Sequence, residues 1–185
     1  MWCCVGRGNG IYQVGFLPES HHQTKGLIIL KLYLKQRVFS WSDLFFAKDE
    51  NGNNRFSVEG ELLALGKNLH IYDANGSEVA FIREEVLSWM PRYFVEINGS
   101  VVCEIVKEFK FFELSYRVEG LSWRVEGDYF AHEYSLYDSN RQIMRLSKKW
   151  FTWGDSYELD IADARDELLC LSVALAIDCA MASRN

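Results

Sequence analysis

The chain is poor in proline and has no excess of positive charge. Of its 185 residues only Pro18 and Pro91 are prolines, so few strands would lose a hydrogen-bond donor to one. Acidic residues outnumber basic ones, 26 to 20, which gives a formal charge of −6 at pH 7. Because phosphate contacts need a basic surface, this balance argues against nucleic-acid binding. It also argues against nonspecific adhesion to anionic membranes, unless a local basic patch provides it.

Disulfide, metal and catalytic motifs are lacking as well. None of the five cysteines stands in a Cys-x-x-Cys motif, and Cys170 and Cys179 fall on opposite faces of a predicted helix. Reduced thiols in a cytoplasmic protein are therefore expected. His70 and His132, placed in predicted strands, have no partner at metal-ligand spacing, and Cys103 is predicted to pack in a strand. Since Gly-x-Ser-x-Gly, Gly-x-Gly-x-x-Gly and Walker sequences do not occur, we expect neither a cofactor nor enzymatic activity.

An apolar stretch long enough to cross a membrane is also missing, but a shorter one is present. The segment from about Asp163 to Ala182 predicts a helix with Asp163 as its N-cap. From Leu168 onward it is apolar on every side except at Ser172 and Asp178, so it must be buried on all faces or lie in a membrane. Spanning a bilayer takes about 20 apolar residues, and Asp178 would cost about 3 kcal/mol there. We therefore predict no transmembrane segment and a helix threaded through a β shell.

The segment before this helix nearly repeats itself. Val58-Glu59-Gly60 recurs as Val125-Glu126-Gly127, and Tyr72-Asp73-Ala74-Asn75 recurs as Tyr137-Asp138-Ser139-Asn140. Short alternating segments between turn signals such as Asn98-Gly99 predict about twelve strands. Twelve antiparallel strands would curl, and closure would remove their exposed edges. We predict a mainly β protein, in which a closed barrel of two similar halves wraps around the C-terminal helix.

The first part of the chain differs from the rest. Residues 1–29 have no strand or helix periodicity, and they include two of the cysteines. We expect them to form an extension outside the fold that is disordered or not native. A single domain is predicted over residues 30–185.

Several segments of that domain resemble the LURP-one-related family. They are Lys31–Gln36, Val58–Glu61, Trp123–His132 and Trp150–Ile161, and the resemblance covers about residues 30–185. It implies the fold shared by tubby C-terminal domains and phospholipid scramblases, a twelve-stranded antiparallel barrel wrapped around a hydrophobic C-terminal helix. Tubby domains bind phosphoinositide head groups, so the resemblance also suggests docking to phospholipid.

One basic cluster with aromatic neighbours is the candidate head-group site: Arg145, Lys148 and Lys149, followed by Trp150-Phe151. A phosphorylated head group needs converging cations, with aromatic side chains nearby to enter the membrane interface. The alternative interpretation of the cluster is a solvated turn between strands.

Two functions are compatible with these observations. The first is a non-catalytic tubby-like module that docks to phospholipid head groups or a membrane surface, in the cytoplasm and peripherally at the membrane. The second is a protein-interaction scaffold or regulatory protein without a lipid role. The oligomeric state, and the choice between an anionic phospholipid and a protein as partner, stay open.

Overall fold

Alternating buried and exposed side chains, the pattern of strands that face a core on one side, run through most of the chain. The computed structural model describes residues 30–35, 44–61, 66–110, 113–129, 131–151 and 154–183. Within these ranges it has the twelve strands that the sequence predicts. They are β1 (Leu30–Lys35), β2 (Phe45–Lys48), β3 (Asn54–Gly60), β4 (Asn68–Asp73), β5 (Glu78–Glu84), β6 (Arg92–Ile97), β7 (Ser100–Lys110), β8 (Glu113–Glu119), β9 (Trp123–Asp128), β10 (Glu133–Asp138), β11 (Arg141–Phe151) and β12 (Gly154–Ile161).

The strands form a closed antiparallel barrel. Each strand pairs with its neighbours in chain order, and β1 pairs with both β2 and β12, so none of the twelve described strands lies at an outer edge. Equivalent positions of the sequence repeat lie six strands apart, and the pair Val58 and Val125 is buried in both halves. We name the end at which the odd-numbered strands finish the loop end, and the opposite end the turn end.

Two of the tight turns at the turn end are each stabilised by an aspartate. Between β2 and β3, Asp49 Oδ1 accepts hydrogen bonds from the amides of Asn51 and Asn53 at 2.9 and 2.8 Å. Gly52 in this turn has a φ of 81°, which glycine adopts at no steric cost. Asp73 forms the same pair of contacts between β4 and β5. These local bonds explain why the predicted turn signals fix the strand order.

The C-terminal segment forms the predicted helix inside the barrel. A 3₁₀ turn, Ala164–Asp166, precedes α1, Glu167–Ala182, and Asp163 caps this turn by accepting from the Arg165 amide. Twelve residues of α1 are buried, and they cover every side of the helix. At 1.5 Å per residue α1 is about 24 Å long, enough to run from the turn end to the loop end. The buried side chains of the strands and of α1 therefore share one core.

One sequence prediction about position is wrong. His132, expected in a strand, lies in the turn between β9 and β10 with a φ of 53°. The left-handed backbone there breaks the strand alternation on which the prediction relied. Cys103 packs in β7 as expected, and it is a free thiol like Cys170 and Cys179. Residues 1–29 lie outside the described residues, so their expected extension stays a prediction.

Candidate functional site at the loop end of the barrel

Exposed apolar side chains gather at the loop end. In the loop between β5 and β6, Leu87 and Trp89 are each 97% exposed, and Val86 is 51% exposed. Leu44, which directly precedes β2 at the same end, is 55% exposed. We name Val86, Leu87 and Trp89 the apolar tip. Single exposed apolar residues are normal on a protein surface, but three in one short loop indicate an interaction site.

The base of this loop is fixed to the barrel. The Glu85 amide donates to the Arg92 carbonyl oxygen at 2.9 Å, and the Ser88 amide donates to the Glu85 carbonyl oxygen at 3.3 Å. The Arg92 guanidinium lies 3.3 Å from the Glu85 carboxylate and 2.7 Å from the Glu104 carboxylate on β7. These bonds hold the loop where it leaves the sheet, so the apolar tip projects from a rigid base.

Basic and polar groups surround the end of α1 at the loop end. The Lys107 ammonium donates to the Ser183 carbonyl oxygen at 3.2 Å, and the hydroxyls of Tyr93 and Ser183 hydrogen-bond at 2.6 Å. Cations are favoured here because the last carbonyls of a helix carry partial negative charge. Burial lowers the pKa of Lys107, and it also lowers the pKa of Lys67, whose charge interacts with Asp178. The helix terminus is thus bound to the barrel by charge and hydrogen bonding.

A histidine and an aspartate meet inside this end. Asp178, an acidic side chain of α1, has its Oδ1 3.4 Å from His132 Nδ1, and the His132 ring packs against Tyr157. Burial raises the pKa of Asp178, whereas His132 and Lys67 act in the opposite direction. Shifted pKa values of this kind are common at functional sites. The neighbouring Cys179 is a poor nucleophile, however, because burial also raises the pKa of its thiol.

The predicted basic cluster lies on strand β11 rather than in a turn, which corrects the alternative interpretation of the cluster. Arg145 and Lys149 are on the outer face, whereas Lys148 shares the inner face with the buried Leu146, because strand residues alternate. The Lys149 ammonium lies 3.5 Å from Glu158 Oε1. The three cations therefore do not converge, although Lys148 and Lys149 lie toward the loop end. Their contact with a head group stays a prediction.

The apolar tip is what the sequence reasoning missed. The position of Trp89 just before Pro91, which favours a loop, was the signal that could have identified it. Among the described residues, no group of three or more His, Cys, Asp or Glu side chains is placed to hold a metal ion. In the same part of the chain, no helix is long and apolar enough to cross a membrane.

Comparison with known proteins agrees with this barrel and helix. A family model described as LURP-one-related matches residues 30–178. The chain belongs to the LURP-one-related family. This result confirms the resemblance on which the fold was predicted, over nearly the whole range that it covered.

Two similar proteins extend the comparison. The LURP-one-related chain is 37% identical over 150 residues to the uncharacterized protein YxjI of Bacillus subtilis strain 168, covering 81% of this chain and 93% of that protein. An X-ray structure of a protein from Arabidopsis thaliana is similar with a TM-score of 0.56 and 17% identity, covering 81% of this chain and 90% of that one. At this identity the likeness shows the tubby-like fold alone.

Proposed function

We propose that this LURP-one-related protein is a non-catalytic module that docks peripherally on phospholipid membranes through the apolar tip. The observation that carries the proposal is the 97% exposure of both Leu87 and Trp89 in a loop with a fixed base. Tryptophan favours the boundary between head groups and acyl chains because its ring is apolar while its N–H reaches polar groups. Three buried free cysteines support a reducing compartment, so we place the docking on a cytoplasmic membrane surface.

A membrane fits the shape of the apolar tip better than a protein surface does. Because neighbouring residues cover almost none of Leu87 or Trp89, the two side chains project outward. A rigid partner would need a matching deep pocket for such a projection, whereas a lipid interface deforms around it. Lys149 lies on the outer face of β11 toward the same end of the barrel and can approach phosphate groups there. The apolar side chains then supply the affinity, and Lys149 supplies a preference for anionic lipid.

The expected affinity rests mainly on burial of apolar surface. Full removal of a leucine side chain from water stabilises by about 1.5–3 kcal/mol, and tryptophan offers a still larger area. Insertion into the interface is only partial, so we expect loss of both side chains to weaken partitioning at least about tenfold, or 1.4 kcal/mol. Since salt screens charges but not apolar burial, binding should survive physiological salt despite the net charge of −6.

Co-sedimentation with vesicles tests the proposal. The full chain is titrated with neutral, phosphatidylserine-rich and phosphoinositide-containing vesicles at low and physiological salt. The Leu87→Ala/Trp89→Ala variant should lose binding to all three. The matched control Val101→Ala removes an apolar side chain that is 53% exposed at the turn end, and it should bind like wild type. Lys149→Glu should weaken binding to anionic vesicles only.

Two results would contradict membrane docking through the apolar tip. Equal binding by wild type and by Leu87→Ala/Trp89→Ala would show that other residues make the contact. Absence of binding to every vesicle would remove the lipid role and leave the alternative of a protein-interaction scaffold.

A further inference from the structure

The wall of the barrel has a weak seam between β8 and β9. The structure describes both strands in full, and they pair at a single position, Arg117 with Arg124. By contrast, β8 pairs with β7 at seven positions, and β9 pairs with β10 at six. Two like charges face each other at the one point of contact, which disfavours pairing. The Arg117 guanidinium donates to Glu108 on β7, and the Arg124 guanidinium donates to Glu126 on β9, both at 2.6 Å. Both arginines are thus paired with residues away from the seam.

A tyrosine side chain takes the place of the missing ladder bonds. Tyr129, which follows β9, donates its hydroxyl hydrogen to the Val125 carbonyl oxygen of β9 at 3.3 Å. The backbone of Tyr116 on β8 lies close enough to the same hydroxyl to oppose the burial that raises the pKa of Tyr129. The Tyr129 ring also meets the Tyr116 ring edge to face, with centroids 4.8 Å apart. The Tyr129 side chain therefore contacts β8 through its ring and β9 through its hydroxyl, beside the single backbone pair of the two strands.

The turn after β9, which contains Tyr129 and His132, is also attached to the central helix α1. The His132 amide donates to the Tyr129 carbonyl oxygen at 3.0 Å, and the His132 ring contacts Asp178 of α1 at 3.4 Å. Behind the seam, Tyr134 donates its hydroxyl hydrogen to the Ala174 carbonyl oxygen of α1 at 3.3 Å. The turn after β9 thus touches β8, β9 and α1 through two side chains.

We propose that Tyr129 and His132 form a clasp whose release opens the barrel wall between β8 and β9, while the other strand pairs stay intact. The clasp is held by few and long contacts, whereas every neighbouring ladder has several backbone bonds, so local opening costs far less than global unfolding. Opening uncovers the unpaired edges of β8 and β9. It also exposes Asp178, of whose surface only 9% is otherwise accessible.

Hydrogen exchange of the full chain, followed by mass spectrometry, tests this proposal. In the wild type, amides of β8 and β9 that face the seam should exchange faster than those of β11. Tyr129→Phe keeps the ring but removes the hydroxyl that bonds the Val125 carbonyl oxygen, and it should speed exchange in β8 and β9 about tenfold without changing β4 or β11. His132→Ala should affect the same segments. The matched control Tyr72→Phe, which removes a hydroxyl on β4, should leave β8 and β9 unchanged.

Two outcomes would overturn the clasp. If wild-type β8 and β9 are protected as strongly as β11, the seam does not open independently, whether or not Tyr129→Phe folds. If Tyr129→Phe leaves exchange unchanged, or accelerates all strands equally, the hydroxyl does not control this wall.

Discussion

Replacing Asp178 by asparagine is expected to stabilise the barrel at neutral pH. Asp178 lies in α1 with only 9% of its surface exposed. Its pKa is raised because burial penalises the carboxylate more than His132 and Lys67 favour it. The ionised side chain is therefore a net cost to the folded state. Asparagine has nearly the same size and keeps an oxygen that can accept from His132.

The magnitude follows from two opposing contributions. A raised carboxyl pKa is a penalty on the ionised form in the folded state, about 1.4 kcal/mol for each pKa unit. The contact with His132 is 3.4 Å long, at the weak limit of a hydrogen bond, so its loss should cost no more than about 1 kcal/mol. Because asparagine carries no such penalty, Asp178→Asn should raise the free energy of unfolding by about 1 kcal/mol at pH 7. His132→Ala, which leaves the carboxylate without this contact, should lower it by about 1–3 kcal/mol.

The difference between Asp178→Asn and wild type should depend on pH. The folded-state pKa of Asp178 lies above the ordinary value of 3.8. The free-energy penalty of the ionised Asp178 is therefore absent below pH 3.8. It grows as the pH rises from 3.8 to the folded-state pKa, and it is constant at higher pH. Urea unfolding followed by tryptophan fluorescence, from about pH 4 to pH 8, should give stabilities that diverge as the pH rises. A variant less stable than wild type at the high end, or a gap that does not change with pH, would refute this reasoning.

Three further predictions concern other parts of the fold. Gly127→Ala should destabilise by at least about 2 kcal/mol in urea unfolding, because a Cβ there would lie 2.6 Å from the backbone of β10 and φ is 141°; wild-type stability would contradict the packing described. Arg55→Ala should lower the free energy of unfolding by about 1–2 kcal/mol, since it removes both hydrogen bonds to the buried Glu167, whereas Arg165→Ala at an exposed pair should leave Tm unchanged. Trp89→Ala should change the free energy of unfolding by less than about 0.5 kcal/mol, and a larger loss would mean that the ring packs against the barrel.

The architecture could be predicted from the sequence because its signals are local and mutually consistent. Alternating segments between turns such as Asp49 to Gly52 mark the strands, and each such turn joins neighbours in the sheet. A helix that is apolar on all sides is stable only where every side is removed from water, and the interior of a barrel is one such environment. Strand number, closure and the position of α1 follow from these two facts together.

The candidate site could not be predicted in the same way. The left-handed φ of His132 turns its ring toward Asp178, and a sequence pattern does not reveal such a backbone. Interpreting Arg145, Lys148 and Lys149 as one cluster assumed that neighbours in sequence share a face, which a strand does not allow. The exposure of Trp89 depends on how the loop leaves the sheet. Each of these features arises from tertiary geometry rather than from local propensity.

Fluorescence quenching of Trp89 by brominated lipids tests the central claim most directly. The chain has six tryptophans, so the fluorescence of Trp89 is obtained as the difference between wild type and Trp89→Phe. Membrane docking through the apolar tip predicts that vesicles quench this difference signal, and most strongly when bromine lies near the head groups. If wild type and Trp89→Phe are quenched equally, or if Trp89 is not quenched when the protein is bound, the apolar tip does not enter the membrane.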